Sequence, residues 1–286
     1  MKRHFKIMAM SLVCGLVLAG CGAKGNNSKQ AEEVKEEVET EMYQVKKEDK
    51  KDLTVFAAAS MTESLTEIKA EFEKENPELN LIFNFDSSGT LKSQIAEGAV
   101  CDVFISAASK QMDELDPTSD KKDSDVEIDS DSRFDLLENE VTLAVKEDYE
   151  KDIKSFEDLN SDLVETIALG NADVPVGQYS ESLLKNMGIW DDIQSKVTFG
   201  SNVKEVTSWV SEGAVDCGII YSTDAKAAGL KIVAKADPSL LDKKVIYPAA
   251  ILKDSKNRED ADKFISFLNS DKAREIFEKY GFKQAE

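Results

Sequence analysis

Leu53-Thr54-Val55-Phe56-Ala57-Ala58-Ala59-Ser60-Met61-Thr62-Glu63 spells a strand, a turn and a helix start in succession. Its first half, Leu53 to Ala58, is short, apolar and β-rich, as a buried strand should be. Ser60-Met61-Thr62-Glu63 then fits a capping box, with Ser60 at the N-cap and Glu63 at the third helical position. Beyond it Leu65, Ile68 and Phe72 fall on one helical face, spaced to lie against a sheet. A strand running through a tight turn into a helix is the unit of a parallel α/β sheet.

The same grammar recurs along the chain. Strands are predicted at Leu81 to Phe85, Asp102 to Ile105, Val141 to Val145, Thr166 to Leu169, Val197 to Phe199, Gly218 to Tyr221 and Val245 to Leu252. Two helices near Ala261 to Leu268 and Lys272 to Tyr280 close the chain. One turn is written twice: Glu97-Gly98-Ala99-Val100-Cys101-Asp102 before one strand, Glu212-Gly213-Ala214-Val215-Asp216-Cys217 before another. Read as a repeat, it puts one occurrence in each of two related lobes with a ligand cleft between them. The length of 286 residues also suits two lobes. The segment Asp116 to Ser132 holds six Asp and little to bury, and reads as a solvated insertion.

Composition narrows the chemistry. Asp and Glu number 56 against 36 Lys and Arg, a net charge of −20, which opposes binding to a phosphate backbone and excludes a nucleic-acid partner. The single histidine is His4. It sits in a segment with the marks of an export signal: Lys2, Arg3 and Lys6, then an apolar run from Ile7 to Ala19 that is too short to span a bilayer. A chain processed after Gly20 has no imidazole for a Ser-His-Asp triad, a Cys-His pair or a metal site. The segment ends Leu18-Ala19-Gly20-Cys21, which resembles a bacterial lipobox and implies lipidation of Cys21. Residues 21–50 offer almost nothing to bury and read as a disordered tether from that anchor. Cys101 and Cys217 are then the remaining thiols, expected to be buried and unpaired.

The candidate site lies at strand-to-helix junctions rather than in titrating side chains. The first is at Ser60 and the second at Asp86-Ser87-Ser88-Gly89-Thr90-Leu91. The third is Val174-Pro175-Val176-Gly177 and the fourth Ser201-Asn202-Val203-Lys204-Glu205. Each helix start exposes amides without an intrahelical partner and the positive end of a dipole. Four such starts facing one cleft would hold an anion.

The turns and strands named above, together with Ile219-Ile220-Tyr221, Asp224, Tyr247-Pro248 and Ile276-Phe277 through Tyr280-Gly281-Phe282, occur in an order that resembles the molybdate-binding proteins of ABC importers. These belong to the periplasmic binding protein superfamily, type II. The resemblance covers nearly everything from Leu53 onward and implies a two-lobed α/β fold, with lobe 1 over 51–138 plus 247–286 and lobe 2 over 139–246. It implies that molybdate or tungstate is held by the hydroxyl and amide of Ser60 and of Ser88, the amides of Val176 and Val203, and the hydroxyl of Tyr221. It also implies a non-enzymatic, monomeric, lipid-anchored receptor without a cofactor, which delivers its ligand to permease subunits from outside the cytoplasm. Val176 stands where alanine is common, and Gly89 where serine is frequent, which removes a hydroxyl near the site. Neutral donors suit a fully deprotonated tetrahedral dianion, since no buried cation need be desolvated. Two alternatives are a receptor for another tetrahedral oxyanion such as sulfate, and an exported hydrolase using carboxylates such as Asp86 and Asp173. A third is a lipoprotein that binds another protein through its acidic surface.

Overall fold

In the computed structural model, residues 50–285 are described. The expected signal, Cys21 and all of the tether except Lys50 lie outside them.

β1 (Lys51–Ala58) is buried from Val55 onward, because its apolar residues are covered on both faces. After the single turn Ala59–Met61 the chain enters α1 (Thr62–Glu75), whose Leu65, Ile68 and Phe72 are fully buried. β2 (Leu79–Asp86), α2 (Ser88–Ala96), β3 (Val103–Ile105) and α3 (Ser109–Asp113) follow, then β4 (Phe134–Glu138). The second half begins with β5 (Val141–Val145), β6 (Ile167–Gly170) and α4 (Pro175–Asn186). It continues through α5 (Trp190–Ile193), β7 (Val197–Gly200), α6 (Val203–Glu212), β8 (Cys217–Tyr221), α7 (Ser222–Ala227) and β9 (Lys231–Lys235). β10 (Ile246–Ile251), α8 (Arg258–Leu268), α9 (Asp271–Tyr280) and β11 (Lys283–Gln284) complete it.

Two sheets organise these elements. One has the order β11-β4-β10-β3-β1-β2, the other β7-β6-β8-β5-β9. In the first, β1 pairs in parallel with β2 and β3, while β10 joins β3 antiparallel. In the second, β6 pairs in parallel with β7 and β8, and β5 joins β8 antiparallel. The order β2-β1-β3-β10-β4 is thus repeated as β7-β6-β8-β5-β9, and the protein is a two-lobed α/β structure. The chain leaves the first sheet between Glu138 and Val141 and returns between Lys235 and Ile246. The two crossings touch: the amide of Asn139 donates to the carbonyl of Val245 at 3.1 Å.

Several expectations change in detail. β4 and β9 were not predicted; both carry charged residues, and β9 is a largely exposed edge. Ser60 does not cap α1: the N-cap is Met61, with no side-chain cap, and Ser60 lies in the preceding turn. The insertion is not wholly solvated. Asp116 is buried and accepts hydrogen bonds from Thr118, Ser130 and Arg133, and Ile128 is buried against Leu252 through an isolated bridge. Burial opposes ionisation of Asp116, yet those donors hold its carboxyl well below the usual range. Cys101 and Cys217 are both buried and unpaired, and burial pushes the Cys217 thiol up to about 12.

Candidate functional site

Parallel strands in both lobes point their C-terminal ends at one place. Ala58, Ala59 and Ser60 at the end of β1, Asp86, Ser87 and Ser88 at the end of β2, and Ala107 after β3 line it from the first lobe. Val174, Pro175 and Val176 after β6, Val203 after β7 and Tyr221 at the end of β8 line it from the second. Ligands of open α/β sheets bind outside such strand ends. The cavity is small: the volume open to a water-sized sphere is about 10 Å³, the order of room that a single water needs. All five residues expected to bind a ligand, Ser60, Ser88, Val176, Val203 and Tyr221, therefore line one space, and all five are buried.

The hydrogen-bond accounting around this space leaves donors over. In the first turn of α2, the Gly89 amide donates across the cleft to the Asp173 carbonyl at 3.0 Å, and the Thr90 amide to the Ser87 hydroxyl at 3.1 Å. Ser88, the first helical residue, keeps its amide. Its Oγ accepts the Ala107 amide at 2.9 Å, so its own proton is free to turn to the cavity. In α4, Pro175 has no N–H to give and fixes the helix start, which puts the Val176 amide in the first turn. In α6, the Asn202 side chain caps the Glu205 amide, leaving that of Val203 without an intrahelical partner.

Two tyrosines complete the set. The Tyr221 hydroxyl reaches across to the Ala107 carbonyl at 3.4 Å, a long contact. In the sequence Tyr247 stands only among the residues of the family resemblance; its hydroxyl lies 2.9 Å from Ser60 Oγ and accepts from Asn139 Nδ2 at 3.1 Å. Either hydroxyl can donate in this pair, and when Tyr247 does, the Ser60 proton is left for the cavity. No local signal marks this pair, since 187 residues separate them. Burial raises both phenols well above their ordinary value, so both remain protonated donors.

Of the lining residues Asp86 alone carries a carboxylate, and it is already hydrogen-bonded. Asp86 is engaged by the Ser87 amide at 2.7 Å and by Asn202 Nδ2 of the opposite lobe at 3.2 Å. Asp173 is exposed, and it is its backbone carbonyl that meets Gly89. Among the described residues no group of three or more His, Cys, Asp or Glu is placed to hold a metal ion.

Residues 53–283 match the family model described as bacterial extracellular solute-binding protein. The chain belongs to that family. A putative ABC transporter substrate-binding lipoprotein of Bacillus subtilis, YvgL, is 34% identical over 99% of both chains. The molybdate-binding protein ModA of Escherichia coli is 36% identical over 80% of this chain and 88% of its own. Among solved structures, the substrate binding domain of a putative molybdenum ABC transporter from Clostridium difficile is 36% identical, with a TM-score of 0.62 over 82% of this chain and 99% of that one. For a solute-binding protein the arrangement is chemically coherent: strand ends and helix starts from both lobes converge on a small space edged with neutral donors.

Proposed function

We propose that this solute-binding protein captures molybdate or tungstate between its lobes and delivers it to the permease subunits of an ABC importer. The hydroxyls and amides of Ser60 and Ser88, the amides of Val176 and Val203, and the hydroxyl of Tyr221 hold the oxyanion. Cys21 carries the lipid that keeps the protein, as a monomer, at the outer face of the cell membrane. The observation that carries this reading is the convergence of these five buried positions, from both lobes, on one small cavity. The identity of the ion rests on the molybdate-binding and molybdenum-transporter relatives. A site of neutral donors spreads a dianion's charge over several dipoles, and hydrogen phosphate fits it less well because its proton needs an acceptor.

The protein acts by binding and not by turnover. A carboxylate hydrolase would need Asp86 and Asp173 presented together to a substrate, whereas one is occupied by Ser87 and Asn202 and the other is exposed. Ligand contacts from both lobes favour the closed arrangement, which is the form a permease would read.

A thermal-shift series with molybdate, tungstate, sulfate and phosphate tests this. A ligand at 100 times its Kd stabilises by about 2.7 kcal/mol, so molybdate and tungstate should raise Tm clearly and phosphate should not. A response to sulfate alone would move the assignment to a sulfate receptor. Silence towards all four would overturn it.

A further inference from the structure

Beside the cavity, and outside its lining, lies an arrangement that the five ligand positions do not explain. Asp224, on α7, has a side chain with no solvent exposure, and neither carboxylate oxygen has a hydrogen-bond partner. Among the described residues its one counter-ion within ion-pair distance is Lys204 of α6, whose Nζ stands 3.2 Å from Oδ1. Burying a carboxylate this way is costly unless its counter-ion is well used. The same ammonium reaches out of its lobe: it donates to both carboxylate oxygens of Glu63, on α1 of the first lobe, at 2.8 and 2.7 Å. Lys204 is thus held from beneath by an acid of its own lobe and presented to an acid of the other.

We propose that Lys204 is an affinity-determining residue: anchored by Asp224 and clasped by Glu63, it latches the two lobes in the closed form without touching the ligand. Lys204 directly follows Val203, whose amide lines the cavity, so the latch sits one residue from a ligand donor. Opening the cleft separates α1 from α6 and breaks the bonds to Glu63, while the buried pair with Asp224 travels with its lobe. The position of the lysine also fits the neutral character of the site. Its charge is shared between two carboxylates and is spent on closure rather than on the anion.

This inference rests on the molybdate reading, and its test separates the two. Molybdate affinity and release rate are measured by calorimetry and stopped-flow fluorescence for the parent, Glu63→Gln, Lys204→Gln, the double variant and Glu67→Gln. Glu67 is the control, because it sits on the same helix α1 but pairs within its own lobe with Lys279 and Tyr280. Removing a partly exposed charged contact should weaken binding by roughly three- to tenfold in Glu63→Gln, through faster release, with the ligand-free Tm unchanged. The double variant should be no weaker than Lys204→Gln alone, because the two residues act as one contact. Glu67→Gln should bind like the parent. A parent that binds molybdate and a Glu63→Gln that binds it equally well would overturn the latch alone. A parent that does not bind molybdate would overturn the underlying reading with it.

Discussion

Asp102 and Asp216 hold the same post in the two lobes. The Asp102 amide donates to the Thr54 carbonyl at 2.8 Å, and its carboxylate accepts the Thr54 amide at 2.8 Å. The Asp216 amide donates to the Thr166 carbonyl at 3.2 Å, and its carboxylate accepts the Thr166 amide at 2.9 Å. Each aspartate ties the turn before a central strand to the neighbouring strand, and each follows a glycine with positive φ, Gly98 at 93° and Gly213 at 71°. The doubled turn in the sequence is therefore a structural repeat, one copy per sheet.

From this tie follows an acid-stability prediction. Burial pushes Asp216 up, but the Tyr149 hydroxyl, the amides of Glu165 and Thr166, and Lys151 together bring it down to about 2. A folded value below the unfolded one adds stability above pH 4 that is lost as pH falls through 2. Asp216→Asn should cost about 2 kcal/mol near neutrality and flatten the acid limb of a urea-denaturation series. An unchanged acid limb would contradict the assignment.

Asp224 predicts the opposite slope. Burial raises its carboxyl to about 6, with Lys204 pulling down and Glu63 pushing up. Its folded value exceeds the unfolded 3.8, so the folded state binds the proton more tightly and stability falls as pH rises from 4 through 6. Asp224→Asn should remove that fall, of the order of 1 to 3 kcal/mol, in chemical denaturation of the ligand-free protein. The same slope in both proteins would show that Asp224 titrates normally.

If the proposed donors hold the ion, Ser88→Ala and Ser60→Ala should each weaken molybdate binding by roughly 1.5 to 3 kcal/mol, the worth of a hydrogen bond to a charged partner. Calorimetry gives the number directly. Tyr221→Phe should behave alike, whereas parent affinity in that variant would make its ring a packing element.

Gly89 should separate stability from affinity. A Cβ there would lie 2.3 Å from the Asp173 carbonyl oxygen of the facing lobe. Alanine in a helix is favoured over glycine by about 1 kcal/mol, so Gly89→Ala should hold or raise the ligand-free Tm. It should nevertheless weaken molybdate binding by about tenfold or more, because the overlap arises only when the lobes meet. Undiminished affinity would mean that this approach is not needed for capture.

What was legible in the sequence followed from local physics. Apolar runs such as Val141 to Val145 and Cys217 to Tyr221 are buried throughout, and their composition declares it. β4 and β9 escaped because Asp135, Lys231 and Lys235 interrupt the apolar pattern at positions where the sheet tolerates exposure. Ser60 and Glu63 satisfy the letter of a capping box, but their partners are Tyr247 and Lys204, far along the chain, and no local pattern reports them. Gly89 likewise reads as a lost hydroxyl until its distance to Asp173 is known.

The repeated strand order has one more consequence. The turn of Ser60 has the turn of Val176 as its counterpart, and that of Ser88 has that of Val203, so each half brings the same two turns to the cavity. A tetrahedral ion seated there, as proposed, would draw donors from both halves, and neither half alone would meet more than part of its hydrogen-bonding demand.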